Sequence, residues 1–202
     1  MNVYGMVVAA GAGARFGAAK GSILLRDRPL WEWSRDSLIE GGVSSVVIVG
    51  PAPGGVPGGP RRRDSVAAGL AALPADATHV LVHDAARPLA TAALARRVIE
   101  RLARGGVDAV LPAIPVRDTL KRVDGDRVTS TVDRSALVAV QTPQGFVVDS
   151  LRAAQAADDT DASDDAVLIE RWGGIVAMVP GEEANLKITY PADLALAEGL
   201  LS

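Results

Sequence analysis

The feature that most restricts the fold is a repeated alternation of short, β-branched apolar runs with longer stretches of helical period. The apolar runs lie at 3–8, 45–49, 79–83, 109–113 and 174–179, and each is bounded by polar or glycine-containing sequence. Between them, 92–104 carries Leu94, Val98 and Leu102 at a helical spacing that gives one apolar face. Buried strands separated by helices predict an α/β fold with a mostly parallel sheet and helices on both faces. Sheets of that kind bind ligands outside the carboxyl ends of their strands. With 202 residues, 49% of them hydrophobic, the chain can bury a full core, and a single domain over 1–202 is expected. The glycine- and proline-rich stretch 51–60 is a loop, because patterned sequence resumes at once. One region breaks the rhythm: 117–123 and 127–132 are β-like around Asp124-Gly125-Asp126, a hairpin turn signal. A hairpin inserted into an α/β domain projects from it, so an arm over about 117–140 is expected, either a dimerisation device or a surface flap.

Composition removes several chemistries. There is no cysteine, so disulfides, thiolate metal sites and cysteine nucleophiles are excluded. The two histidines, His79 and His83, cannot make a three-histidine zinc site. A net charge of -3 gives no global attraction to nucleic acid or to an anionic membrane. No apolar run approaches the ~18–20 residues of a membrane span, and the N-terminus reads as a strand rather than a basic leader. A soluble, cytoplasmic protein with neither nucleic acid nor membrane as partner is expected.

The first candidate site is the loop after the first strand. Tyr4-Gly5-Met6-Val7-Val8-Ala9-Ala10 runs into Gly11-Ala12-Gly13-Ala14-Arg15-Phe16-Gly17, and Lys20 follows. Small residues let backbone N–H groups approach a polyphosphate, and Arg15 and Lys20 add positive charge there. A Walker A loop is ruled out because no Gly-Lys-Ser/Thr occurs. The dinucleotide fingerprint fails too, since Phe16 stands where its third glycine belongs. What remains, A-A-G-x-G-x-R followed by lysine, resembles the signature loop of sugar-phosphate nucleotidyltransferases; an ordinary small-residue turn is the alternative.

A second candidate, His83-Asp84-Ala85-Ala86-Arg87-Pro88, follows a buried strand. Asp84 there is placed to hold magnesium carried by a nucleotide triphosphate, since carboxylate oxygen is the hard ligand that ion prefers; a cap for the next helix is the alternative. In Arg61-Arg62-Arg63-Asp64-Ser65, Asp64 or Ser65 could cap the helix carrying Val66, Leu70 and Leu73, with the arginines binding an anion or lying in water. Lys187 interrupts an apolar, strand-like Leu-Lys-Ile run, which points either to an anion or to an edge strand.

The order of these pieces with P-V-R-D-T-L-K-R, V-D-R, Q-T-P-Q, S-D-D-A and N-L-K-I-T-x-P-x-D-L-A-L-A-E resembles the 2-C-methyl-D-erythritol 4-phosphate cytidylyltransferase family from about Val3 to Leu200. The resemblance implies a Rossmann-like α/β fold and magnesium-dependent cytidylyl transfer from CTP to the sugar phosphate in non-mevalonate isoprenoid biosynthesis, other divalent cations being possible. It implies that Arg15 and Lys20 stabilise the transition state at the α-phosphate. Ala9, Ala10, Gly11, Ala12 and Gly13 would hold cytosine and ribose with Ser65 near the base, and Asp84 and Ala85 would lie by the nucleotide and metal. Thr119, Arg134, Thr142, Ser163 and Lys187 would grip the sugar phosphate, with Arg134 reaching across a homodimer through the arm. The chain departs from the family at Ala19-Lys20-Gly21-Ser22, where Pro-Lys-Gln-Tyr/Phe is usual, and the loop between Arg15 and Lys20 is shorter. Two other readings remain: a ribitol-5-phosphate cytidylyltransferase, and a catalytically silent nucleotide-binding protein of the same fold.

Overall fold

The protein, seen in a computed structural model, is described over residues 1–11, 16, 23–162 and 164–201. Its elements in chain order are β1 (Val3–Val8), β2 (Leu24–Leu25), β3 (Arg28–Pro29), α1 (Leu30–Gly41), β4 (Val46–Val49), α2 (Arg62–Ala71), β5 (His79–Asp84), α3 (Ala92–Ala103) and β6 (Ala109–Pro115). There follow β7 (Leu120–Asp124), β8 (Arg127–Val132), β9 (Val138–Val140), β10 (Gln144–Val147), α4 (Val148–Ala157), α5 (Ala166–Trp172), β11 (Val176–Pro180) and α6 (Pro191–Leu200).

A seven-stranded sheet has the order β11-β6-β10-β5-β1-β4, with β9 also paired to β6. The pairs β4–β1, β1–β5 and β6–β11 are parallel, whereas β10 runs antiparallel to both β5 and β6. All five apolar runs are strands of this sheet, and the sheet is mostly parallel as expected. The antiparallel β10 is the addition. Together β9 and β10 form one antiparallel partner for β6, broken at 141–143, where the Thr142–Pro143 peptide is cis.

Alternation along the strands splits the core between two faces. Met6, Val80 and Val82 pack with Leu70, Leu151 and Leu168 from α2, α4 and α5. Val7 and Leu81 point the other way, onto Leu38 of α1 and Val98 and Leu102 of α3. In α3, Leu94, Val98 and Leu102 are buried as their spacing predicts, and Thr91 caps the helix by accepting the Leu94 N–H at 3.1 Å. Burying each of those side chains contributes roughly 1.5–3 kcal/mol, an upper bound because the unfolded chain is itself partly compact. No helix among the described residues is long and apolar enough to cross a membrane.

The hairpin stands apart from this sheet. Its strands β7 and β8 pair only with each other in the sheet topology, through a tight turn with Gly125 at φ +58°. Strand structure begins at Leu120 rather than at 117. Val123 and Val128 face each other across the ladder and are 58% and 57% exposed. An isolated two-stranded ribbon is at best marginally stable in water, so this one carries an apolar pair that its own chain leaves uncovered.

Candidate active site

A cleft of about 390 Å³ opens at the carboxyl ends of β1 and β5. Ala10 and Gly11 extend from β1, Asp84 and Ala86 from β5, Arg62 and Ser65 from the start of α2, and Lys187 from the segment before α6. Small residues shape the far wall. A Cβ on Gly58 would lie 2.3 Å from the Ala10 Cβ and 2.9 Å from Ser65 Oγ, so the loop can lie against β1 only without a side chain there. The Gly59 N–H donates to Ser65 Oγ at 3.1 Å, fixing the loop to α2. Asp64 occupies the third position of α2 and its carboxylate accepts the Arg61 N–H at 3.1 Å; Ser65 lies inside the helix and does not cap it.

Four charged side chains of alternating sign run from the buried Asp165 into this cleft. Asp165, 1% exposed, accepts from Arg62 Nη1; Arg62 Nη2 reaches Asp84 Oδ1 at 3.3 Å; Asp84 Oδ2 accepts from Lys187 Nζ at 2.7 Å. Burial works to raise the Asp84 carboxyl, but the neighbouring Arg62 and Lys187 cations outweigh it and hold Asp84 well below the usual carboxylate range. Asp84 therefore remains ionised at any physiological pH. It is not a helix cap, because Thr91 fills that role for α3. Lys187 lies in irregular chain between β11 and α6, not on an edge strand; the Ile188 N–H donates to the Ala86 carbonyl at 2.7 Å and docks this segment beside β5. Nor do the arginines lie free in water. Arg63, 8% exposed, donates to the carbonyls of Gln155, Asp158 and Thr160, and Arg61 bonds Asp64 and Asp159.

Below the cleft a second polar layer fixes the end of β5. Thr142 Oγ1 accepts the Asp84 N–H at 3.1 Å and lies 2.7 Å from Nδ1 of the fully buried His83. The one hydroxyl thus bridges the β5 backbone and the His83 ring. Burial pushes the His83 pKa down to about 4, so the ring is neutral at pH 7. Asn185 Nδ2 donates to the Thr142 carbonyl at 2.9 Å and to Gln141 Oε1 at 3.2 Å, tying the Lys187 segment to the break in the β9–β10 strand. A smaller cavity of about 140 Å³ adjoins this layer, lined by Arg87, Thr142 and Gln144, with Arg62, Asp84 and Lys187 forming the wall it shares with the larger cleft.

The structure thus brings Ala10, Gly11, Ser65, Asp84 and Lys187 to one cleft, with Thr142 at the adjoining cavity. Ala9 and Ala85 do not line the cleft. Both are buried, and their N–H groups are used by Val49 and Val8 carbonyls at 2.7 and 3.1 Å, so neither has a donor to offer; Ala86 lines the cleft instead. Thr119 is exposed just before β7. Arg134 follows β8, donates to the Val116 carbonyl at 3.2 Å, and lines a different cleft of about 530 Å³ with Leu137, Val138 and Met178. Within one chain it does not meet Asp84 or Lys187. The expectations for Ala12, Gly13, Arg15, Lys20 and Ser163 lie outside the described residues. Asp165, within the S-D-D-A motif, carries no expected role, and Arg62 is expected only as one of three arginines that bind an anion or lie in water.

Among the described residues no three histidine, cysteine, aspartate or glutamate side chains cluster as a metal cage. Among the described residues that line the cleft, Asp84 alone offers ionised carboxylate oxygen. One carboxylate suits a magnesium ion that takes its remaining ligands from substrate phosphates and water.

Comparison with known proteins agrees with this geometry. The family model for IspD, 2-C-methyl-D-erythritol 4-phosphate cytidylyltransferase, matches residues 3–202. A protein of that name from Nocardia farcinica is 47% identical over 99% of this chain and 94% of its own length. A bifunctional enzyme IspD/IspF from Solidesulfovibrio magneticus is 56% identical over 70% of this chain, a match that spans 36% of the larger protein. The crystal structure of the 2-C-methyl-D-erythritol 4-phosphate cytidylyltransferase from Thermus thermophilus superposes with a TM-score of 0.85 at 38% identity, covering 99% of this chain and 98% of the other.

Proposed function

Since this chain belongs to the 2-C-methyl-D-erythritol 4-phosphate cytidylyltransferase family, we propose that it transfers a cytidylyl group from CTP to 2-C-methyl-D-erythritol 4-phosphate. The observation that carries the reading is the Arg62–Asp84–Lys187 wall between a nucleotide-sized cleft and a smaller polar cavity. A phosphate oxygen of the sugar phosphate attacks the α-phosphorus of CTP, the bond to the β-phosphate oxygen breaks, and pyrophosphate leaves. That nucleophile is already anionic, so no general base is needed, and the neutral, buried His83 is not asked to be one. Catalysis rests on positioning and on charge stabilisation. Lys187, facing both spaces, is placed to meet the transferring phosphate, and the loop cations Arg15 and Lys20 are assigned the same task by family likeness. Magnesium bound through Asp84 would neutralise charge on the triphosphate, a role other divalent cations share. Ser65, Ala10 and Gly11 hold the nucleotide, and the small-residue wall leaves a pyrimidine room that a purine would exceed.

The protein acts as a homodimer in which the β7–β8 arm crosses to the neighbour and Arg134 completes the neighbour's sugar-phosphate site. Supporting this are the uncovered Val123–Val128 pair and the separation of Arg134 from Asp84 within one chain. The test is pyrophosphate release measured over the four nucleoside triphosphates and several polyol phosphates. CTP with 2-C-methyl-D-erythritol 4-phosphate is expected to turn over fastest. Comparable rates with ATP would sink the base assignment, faster turnover of ribitol 5-phosphate would move the substrate, and no release with any pair would leave a silent nucleotide-binding protein.

A further inference from the structure

A buried carboxylate beside a reacting site calls for a reason, because desolvating an ion pair often costs more than the pairing returns. Asp165 is such a group. It is 1% exposed, stands at the start of α5, and takes Nη1 of Arg62, whose side chain is 23% exposed. The other terminal nitrogen of the same guanidinium meets Asp84 at 3.3 Å, longer than the ~2.7–2.9 Å of a full charge-assisted bond. Arg62 therefore does not close on Asp84 with its two-pronged fork, which is the geometry an arginine facing a single carboxylate prefers.

We propose that Asp165 and Arg62 form a strut that holds the guanidinium partly back from Asp84, so that the Asp84 carboxylate stays aimed into the cleft with Oδ1 available to a metal–nucleotide complex. This rests on the reading of Asp84 as the metal-binding carboxylate. Arg62 is a positioning residue and Asp165 its anchor. Arg62 sits at the first position of α2, fixed to β5 by Asp84 and to α5 by Asp165, so the strut also spans the edge between the two cavities. If the anchor loses its charge, Arg62 is released to pair with Asp84 through both nitrogens, and a divalent cation must then compete with it.

The test titrates Mn2+ into the 202-residue chain with CTP, without sugar phosphate, and follows enzyme-bound metal by water-proton relaxation. Asp165→Asn keeps the shape and removes the charge. It is expected to weaken Mn2+ binding about tenfold, in the range of lost outer-shell partners of a metal ligand. The double variant Arg62→Gln with Asp165→Asn removes the competing cation as well, and affinity is expected to return to within about twofold of wild type. A merely structural pair gives the opposite result, a double variant as weak as the single or weaker, and that overturns the strut; so does an Asp165→Asn protein that is folded by circular dichroism and binds Mn2+ as wild type does. If Asp165→Asn does not fold, the comparison of the double variant with wild type decides alone: affinity equal or tighter supports the strut, weaker removes it. Asp84→Asn separates the two levels. Loss of bound Mn2+ there with none in Asp165→Asn removes only the strut, whereas unchanged binding in Asp84→Asn removes the metal-ligand reading and the strut together.

Discussion

His83 shows how one buried side chain links stability to pH. Its pKa falls from the ordinary 6.5 to about 4 on burial, so the unfolded chain takes up a proton that the folded protein refuses. The stabilising contribution is complete above about pH 6.5 and is lost as the pH falls toward 4, about 3 kcal/mol in all. Urea unfolding of wild type and His83→Asn at pH 7 and pH 4.5 checks this: wild type is expected to lose about 2–3 kcal/mol more than the variant over that interval. Equal losses would place the titrating group elsewhere. Lys187 gives a prediction on rate. Its side chain is 39% exposed and pairs with Asp84, so Lys187→Ala is expected to cut kcat/KM about 100-fold while shifting stability by less than about 1 kcal/mol. Steady-state kinetics beside a thermal melt separates the two, and unchanged kinetics would reduce the lysine to a surface ion pair. Sequence singled out Asp84 and Lys187 because a carboxylate ending an apolar run and a lysine inside one are both out of place. It did not expose the pairing of Arg62 with Asp165, which lie 103 residues apart, nor the loss of free donors at Ala9 and Ala85, which follows only from sheet pairing.

Between elements, the meeting of β1, the 51–60 loop and α2 is the contact on which the proposed nucleotide site depends. Gly58→Ala would push a methyl group to 2.3 Å from the Ala10 Cβ, and since the loop is less constrained than the strand, the loop is expected to yield. The predicted result is a several-fold higher KM for CTP, with kcat near wild type and a cost of about 1–2 kcal/mol in stability; a KM that does not move would show that the wall is not part of the base site. The five expected strands and α3 were legible because each is a run whose apolar period survives unaided. The broken β9–β10 strand was not. Val138–Val140 and Gln144–Val147 are too short to carry a period, yet the break between them is what delivers the Thr142 hydroxyl to His83 and Asp84. Arg63 at the head of α2 misled for a related reason, since what it binds is backbone carbonyl, which every sequence has and none displays.

For the molecule as a whole, the proposed exchange of arms is open to a complementation test. Arg134→Ala and Arg15→Ala subunits, each nearly inactive alone, are mixed and allowed to exchange. One site of each mixed dimer then contains both native arginines, and partial activity is expected to return. Exchange without recovery would place Arg134 in its own subunit's chemistry or in none. Arg134→Lys is also expected to be impaired, because an ammonium cannot repeat the two-pronged contact of a guanidinium with phosphate. The separateness of the β7–β8 ribbon then has a consequence for how the protein behaves on dilution. The main sheet owes no hydrogen bond to the ribbon, so a lone subunit keeps its nucleotide cleft and loses only the borrowed arginine. Specific activity would accordingly not be a constant of the protein but would climb with its concentration, flattening once pairs outnumber single chains, while CTP binding per chain stayed the same throughout.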